Sequence, residues 1–227
     1  MMRHIALLMS LAVFLAGCGQ SQAVREEKAV KAIKALGGFV MRANLPGHPI
    51  FAVDLDRTKA VDADLEYLKD LKELKTLMTL NLYGTQITDA GLKDFKELQG
   101  LRYLDLSDTQ ITDAGLKKLK ELKGLKDLNL SYTKITDAGL KELRELKGLQ
   151  SLDLTCTQIT DASLKDLKVL RGLQTLFLQC TKITDAGLKE LKELKDLQYL
   201  SLYDTKITDT GLKELKQALP TTEIYGP

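Results

Sequence analysis

At 227 residues, with 33 Lys and Arg against 31 Asp and Glu, the chain carries a formal charge of only +2. That balance gives no cue for nucleic acid, so any electrostatic function must come from how charge is distributed over the faces. Trp is absent and aromatics make up 5% of the residues, which leaves Leu and Ile to supply the core.

Near its start the chain has a positive charge at Arg3, an apolar stretch from Ile5 to Leu15 and then small residues. This is the plan of a secretory signal peptide, too short for a comfortable membrane span. A plain cleaved signal or an N-terminal anchor helix fits the same plan. Leu15-Ala16-Gly17-Cys18 resembles the lipobox of bacterial lipoproteins. That resemblance implies loss of residues 1–17, a diacylglycerol on the Cys18 thiol and membrane attachment at the cell envelope. Gly19 rather than Asp after the Cys implies, in that family, the outer membrane of a cell that has two.

Residues 18–57 read as the lipidated Cys, a linker and an N-terminal cap. Val24, Val30, Ile33 and Leu36 recur at helical spacing, and Gly37-Gly38 stops the run. Phe39-Val40-Met41 and Ile50-Phe51-Ala52-Val53 read as short strands around the turn Pro46-Gly47-His48-Pro49. Together they predict a cover for the first repeat, whose end Leu residues would otherwise meet water.

From residue 58 to 227 the chain repeats. Thr85, Thr109, Thr133, Thr157, Thr181 and Thr205 mark a period of 24, and a longer unit from Thr58 to Gly84 precedes them. A period of this length predicts a solenoid. In each unit a Thr (Thr88, Thr112, Thr136, Thr160, Thr184, Thr208) stands where it can cap a helix, followed by an Asp at the positive end of the helix dipole. Leu92, Phe95 and Leu98 share one face, and Gly100, Gly124, Gly148 and Gly172 are placed to close helices of about three turns in the left-handed conformation. The second half, as in Leu101–Thr109, alternates. Leu104 and Leu106 point inward, and Tyr103, Asp105 and Ser107 point outward. Crossovers make successive strands parallel. Thr222 to Tyr225 supply a last strand.

The pattern resembles the leucine-rich repeat, and "ITDAGL" is similar to the cysteine-containing subclass of that family. The resemblance covers Ile50 to Tyr225. It implies an α/β solenoid, a horseshoe with parallel strands on the concave wall and helices on the convex one. Every unit departs from the subclass by placing Thr where the family has Asn or Cys (Thr58 through Thr205); a Thr hydroxyl both donates and accepts, so a buried Thr ladder can satisfy the backbone there.

Little here points to catalysis. His48 is the one His after the signal segment, which leaves no Ser-His-Asp or Cys-His set near the repeats. No zinc spacing, phosphate loop or calcium loop is present, and no cofactor is expected. Cys156 and Cys180 hold equivalent places in adjacent units, and side-by-side geometry predicts free thiols rather than a bridge.

The individuality lies on the concave wall. Its central row reads Asp54, Asn81, Asp105, Asn129, Asp153, Phe177, Ser201. Phe177 breaks a polar row. Tyr199 and Tyr203 are expected beside it as one aromatic cluster, and Tyr83 with Tyr103 as a second. Aromatic side chains on a rigid wall serve as binding hot spots; mutual packing of the rings is the other reading. The candidate partner-binding residues are therefore Tyr83, Tyr103, Asp105, Asp127, Asp153, Phe177, Tyr199 and Tyr203. Asp108 and Asp204 also belong to the acidic concave side, and the convex side is a solvated Lys/Glu face.

The sequence thus supports an envelope-anchored, non-catalytic module whose concave face binds a protein or peptide. The alternative is a structural or self-associating envelope component, favoured by an uncapped apolar end. An enzyme using concave Asp pairs would need a carboxylate of raised pKa, and these Asp are expected to be exposed.

Overall fold

The structure, a computed structural model, describes residues 23–68, 70 and 76–226. Cys18 and the signal segment lie outside the described residues, as do residues 69 and 71–75 of the longer first unit. A helix over 23–35 leads into an antiparallel pair, β1 (Phe39–Arg42) and β2 (Ile50–Asp54). The next strands are β3 (Thr79–Asn81), β4 (Tyr103–Asp105), β5 (Asp127–Asn129), β6 (Ser151–Asp153), β7 (Thr175–Phe177), β8 (Tyr199–Ser201) and β9 (Glu223–Tyr225). They form one open sheet in chain order, parallel from β2 onward.

The pairing register advances by 27 residues from β2 to β3 and by 24 per rung thereafter, so Leu104, Leu128, Leu152, Leu176 and Leu200 stack in one line. Behind them lies a single continuous core of Leu and Ile. Ala29 and Ile33 of the N-terminal helix close one end and are buried, whereas Val24 is 63% exposed and takes no part. At the other end Leu215, Leu219 and Ile224 are buried, so the last rung is covered too.

The crossovers are shorter helices than expected. Asp113–Leu119, Asp161–Leu167 and Asp185–Leu191 have 7 residues each, and Asp89–Glu97 is a 3₁₀-helix. The reason is visible in the spacing. Leu116, Leu119, Leu122 and Leu125 are all buried, and a three-residue period keeps to one face only when the chain winds three residues per turn. Leu122 and Leu125 accordingly donate N–H to the carbonyls of Leu119 and Leu122. Gly100, Gly124, Gly148 and Gly172 do not close the helices in the left-handed conformation.

The left-handed residue lies elsewhere, immediately before each ladder Thr: Arg57, Gly84, Asp108, Tyr132, Cys156, Cys180 and Asp204, all with φ between +50° and +64°. Only one of them is Gly, although an L side chain costs about 1–2 kcal/mol in that conformation. The Thr that follows stabilises the turn. The hydroxyls of Thr58, Thr85, Thr109, Thr133, Thr157, Thr181 and Thr205 each donate to the carbonyl three residues back, at 2.5–2.8 Å. The Thr ladder thus fills the role expected of it.

A second set of Thr locks rung to rung. Thr88, Thr112, Thr136, Thr160 and Thr184 cap their own helices by accepting N–H from the residue two positions on. Each also donates its backbone N–H and its hydroxyl to the Asp of the preceding unit. For Thr160 and Asp137 the distances are 2.8 and 2.6 Å, and the same pair joins Thr88 to Asp62, Thr112 to Asp89, Thr136 to Asp113, Thr184 to Asp161 and Thr208 to Asp185. The Asp of "ITD" therefore starts its own helix and holds the next. It also explains the Gly two positions later: a Cβ on Gly139 would lie 2.3 Å from the Asp113 carboxylate. Where Ser163 stands instead, Asp137 still holds Thr160, so the carboxylate yields to a small side chain.

Thr208 holds the Asp185 carboxyl below the usual carboxylate range. A depressed folded pKa means that its contribution is present above the unfolded value and is lost as pH falls through the folded one. Replacing Asp137 with Asn removes the charge and leaves one of the two Thr160 donors without an acceptor, and it is expected to cost about 2 kcal/mol in urea unfolding. Asp209 accepts no such pair of bonds from a Thr among the described residues, and Asp209→Asn is expected to change stability by less than about 0.5 kcal/mol.

Candidate binding surface

Because the register is constant, outward side chains fall into rows along the strand wall. The central row runs through Asp54, Asn81, Asp105, Asn129, Asp153, Phe177, Ser201 and Tyr225. Its first five members are structural acceptors. The side-chain oxygens of Asp54, Asn81, Asp105, Asn129 and Asp153 each accept the N–H two residues on, at 2.8–3.0 Å. Such Asx turns guide the chain out of each strand.

The alternation of Asp with Asn has a direct consequence. Asn129 Nδ2 donates to Asp105 Oδ2 at 3.1 Å. Asp105 also accepts from the Ser107 hydroxyl and, at 3.2 Å, from the Tyr103 hydroxyl. It is 7% exposed, which corrects the expectation of exposed carboxylates. Neighbouring rungs stand about 5 Å apart, so side chains on the wall cover one another. Asp153 is half-buried as well, and burial pushes its carboxyl above the usual range. Asp127 is half-buried on β5, beside Tyr103 in the register.

Tyr83 and Tyr103 do not form the expected cluster. The Tyr103 ring is tied to Asp105, and burial followed by the charge of Asp105 pushes its phenol up to about 12. Tyr83 instead lies under Arg57, whose guanidinium carbon is 5.0 Å from the ring centroid. The two rings are held at opposite sides of the wall because Tyr83 comes two residues after its rung's central position and Tyr103 two before.

The other cluster forms, and it is larger than expected. Phe177 meets Tyr199 at 5.3 Å between centroids, Tyr199 meets Tyr225 at 5.3 Å, and Tyr225 meets Tyr203 at 6.2 Å. Offset, tilted rings at such distances attract one another. Tyr225 links the set and was missed, although its place one period beyond Ser201 marks it as the next member of the central row. Tyr203 and Tyr225 remain 45% and 40% exposed, so packing of the rings leaves a large apolar surface open.

Asp108 and Asp204 lie on the row of left-handed turns rather than on the strand faces, both exposed. Cys156 and Cys180 belong to that row and are free. The Cys180 thiol is pushed up to about 11, first by its hydrogen bond with Cys156 and then by burial. The helical wall carries a ladder of exposed ion pairs, among them Lys123–Glu145 at 2.9 Å and Lys168–Glu190 at 3.3 Å. Pairs so exposed contribute little to stability. Among the described residues no group of three His, Cys, Asp or Glu is placed to hold a metal ion.

Family models described as leucine rich repeat match residues 75–135, 100–159 and 194–216. Among solved structures the chain is similar to a leucine-rich-repeat protein of Leptospira interrogans, with 31% identity and a TM-score of 0.55 over 68% of this chain and 38% of that one. It is similar to internalin C2 of Listeria monocytogenes, with 28% identity and a TM-score of 0.56 over 77% of this chain and 80% of that one. A further internalin of that organism, at 23% identity and a TM-score of 0.53, shares the fold, with 77% of this chain covering 52% of its own length. No curated protein matches. The chain spans less than two thirds of the Leptospira protein and of the further internalin. With the parallel stack, these matches show an open leucine-rich-repeat solenoid.

The half-buried Asp153 gives a test of the wall's electrostatics. Its folded pKa is raised, so a charge penalty is present at neutral pH and disappears as pH falls below about 4. Asp153→Asn keeps the acceptor for Thr155 N–H and removes the charge. Thermal unfolding is expected to show the variant more stable than the parent at pH 7 and equal to it at pH 3.

Proposed function

We propose that this leucine-rich-repeat protein is an envelope-tethered binding module that presents its strand wall to a protein or peptide. Leucine-rich-repeat domains generally bind protein ligands, but fold alone does not assign a function. The observation that carries the reading is the open aromatic surface of Phe177, Tyr199, Tyr203 and Tyr225 on a rigid sheet. Aromatic residues lose little entropy when a partner packs on them, so they supply affinity efficiently. The Asp and Asn row beside them sets orientation and selectivity.

Two further observations support this reading over its rivals. Asp105 is surrounded by donors from Tyr103, Ser107 and Asn129, and Asp153 accepts the Thr155 N–H. These carboxylates hold turns, which is why the module is read as non-catalytic. Both ends of the stack are closed by buried residues, so the apolar end that self-association through the ends would use is not exposed. The tether is the lipid on Cys18, read from the Leu-Ala-Gly-Cys motif. Among the described residues no helix is long and apolar enough to cross a membrane.

Phe177→Ala combined with Tyr199→Ala is expected to weaken partner binding by about 2 kcal/mol or more while leaving the unfolding midpoint of the core little changed. Lys189→Ala with Lys192→Ala on the helical wall is expected to have almost no effect. Calorimetric titration with a partner isolated from envelope extract checks both, and the reverse pattern would move the working face to the helices.

The tether is tested separately. Mass spectrometry of the protein from its native membrane is expected to show a chain that starts at Cys18 and carries acyl mass. An unmodified chain beginning elsewhere would remove the lipoprotein reading without touching the binding face.

A further inference from the structure

The repeat allows one end of the strand wall to be compared with the other, residue for residue. Tyr83 and Tyr203 hold the same position five periods apart. The Arg57 guanidinium covers the Tyr83 ring, 5.0 Å from its centroid, and donates to its hydroxyl at 3.3 Å. Arg57 can do so because it is the left-handed residue of the preceding rung, and its N–H donates to the Tyr83 carbonyl at 2.7 Å. Cys180 stands in the same relation to Tyr203: left-handed, with its N–H donating to the Tyr203 carbonyl at 3.0 Å. A thiol is too short to lie over the ring and carries no positive charge. Tyr203 thus has the backbone setting of Tyr83 without its cation.

A second observation lies beneath the rings. Ser201 sits between Phe177 and Tyr225 in the strand register, with Tyr199 and Tyr203 two residues away on either side. It is fully buried, and its hydroxyl oxygen is the one buried side-chain polar atom without a hydrogen-bond partner among the described residues. A buried hydroxyl left in that condition costs about 1–3 kcal/mol. At the corresponding places Asp and Asn accept a backbone N–H; Ser is too short to do the same. The charge around the rings is negative. Tyr225 donates to Glu223 at 3.4 Å, and the charge of Glu223 pushes the Tyr225 phenol up; Asp204 follows Tyr203 directly in the chain.

We propose that the four rings around Ser201 form a site for the guanidinium of an arginine carried by an extended peptide segment of the partner. The assignment rests on the strand wall being the binding face. The side chain stacks on Tyr203 and Tyr225 as Arg57 stacks on Tyr83, with N–H groups directed at the Ser201 oxygen and at the flanking carboxylates. Both of those rings are at the surface, and access to the Ser201 oxygen requires that they turn aside. Arginine fits better than lysine because its planar fork stacks on a ring face while donating in several directions, whereas an ammonium is a compact, strongly hydrated point charge.

The test uses the full chain with isotope-labelled Phe and Tyr rings, followed by NMR. The probes are acetyl-Gly-Arg-Gly-Arg-Gly-amide and the same peptide with citrulline, a neutral near-isostere, in place of arginine. The arginine peptide is expected to shift the ring signals of Phe177, Tyr199, Tyr203 and Tyr225 and to bind at least about fivefold tighter than the citrulline peptide. Cys180→Arg places a guanidinium where Arg57 shows that this backbone accepts one. It is expected to move the Tyr203 signals without ligand and to weaken the arginine peptide about fivefold or more. Equal affinity for the two peptides, or undiminished binding in the Cys180→Arg protein, overturns the cation assignment. If neutral peptides then still depend on Phe177 and Tyr199, the strand wall stands as the binding face and only its ligand class changes. If no peptide binding depends on those rings, both readings fall.

Discussion

From Asp62 to Asp185, the carboxylate of each rung's Asp accepts two hydrogen bonds from the Thr that begins the following helix, and the regularity of the stack depends on this contact. Leu side chains alone would tolerate small slips, because apolar burial is not directional. The pair of bonds from one residue's N–H and hydroxyl to one carboxylate has a single geometry, as in Thr136 to Asp113 at 2.8 and 2.6 Å. It fixes the distance between rungs and the angle at which each helix starts. With that fixed, the strands pair in register from β2 to β9, and outward side chains of equal position fall into straight rows.

Rows make the wall's chemistry depend on neighbours one period apart. Asp105 is buried because Asn129 and Tyr103 lie against it. Phe177 has room to leave the polar pattern because the next rungs supply Tyr199 and Tyr225 as company. The left-handed turn adds a row of its own at the margin of the sheet. Its backbone is held by the ladder Thr and by cross-rung N–H bonds such as Tyr132 to Thr155, so the side chain is free to vary. Arg57, Tyr132, Cys180 and Asp204 all occupy it, and what stands there decides whether the adjacent ring is covered.

The helical and strand walls differ in kind. On the helical side, cation and carboxylate alternate from rung to rung, as in Lys123–Glu145 and Lys192–Glu214, and remain in solvent. On the strand side, polar groups are satisfied inside the wall, while the unsatisfied hydroxyl of Ser201 and the exposed faces of Tyr203 and Tyr225 are gathered at one end. A surface whose unmet interactions are concentrated in one place is suited to a localised anchor.

The amino-acid sequence determined the parts that follow from spacing: the period of 24, the inward Leu lines, the parallel order, the capping Thr and the cluster at Phe177. These are local, repeated features, and repetition makes them visible without coordinates. The Leu spacing of three after Leu116 was legible too, yet its consequence, shorter helices continued by tight turns, emerged only when the core demanded every one of those Leu. Only the tertiary structure decided where the left-handed residue sits, since six of its seven occupants are not Gly and so give no signal in the chain. It also separated Tyr83 from Tyr103, brought Tyr225 into the cluster, and buried Asp105. The last two of those outcomes depend on contacts between rungs about 5 Å apart, and a side chain's exposure there is set by what the neighbouring period carries as well as by its own residue type.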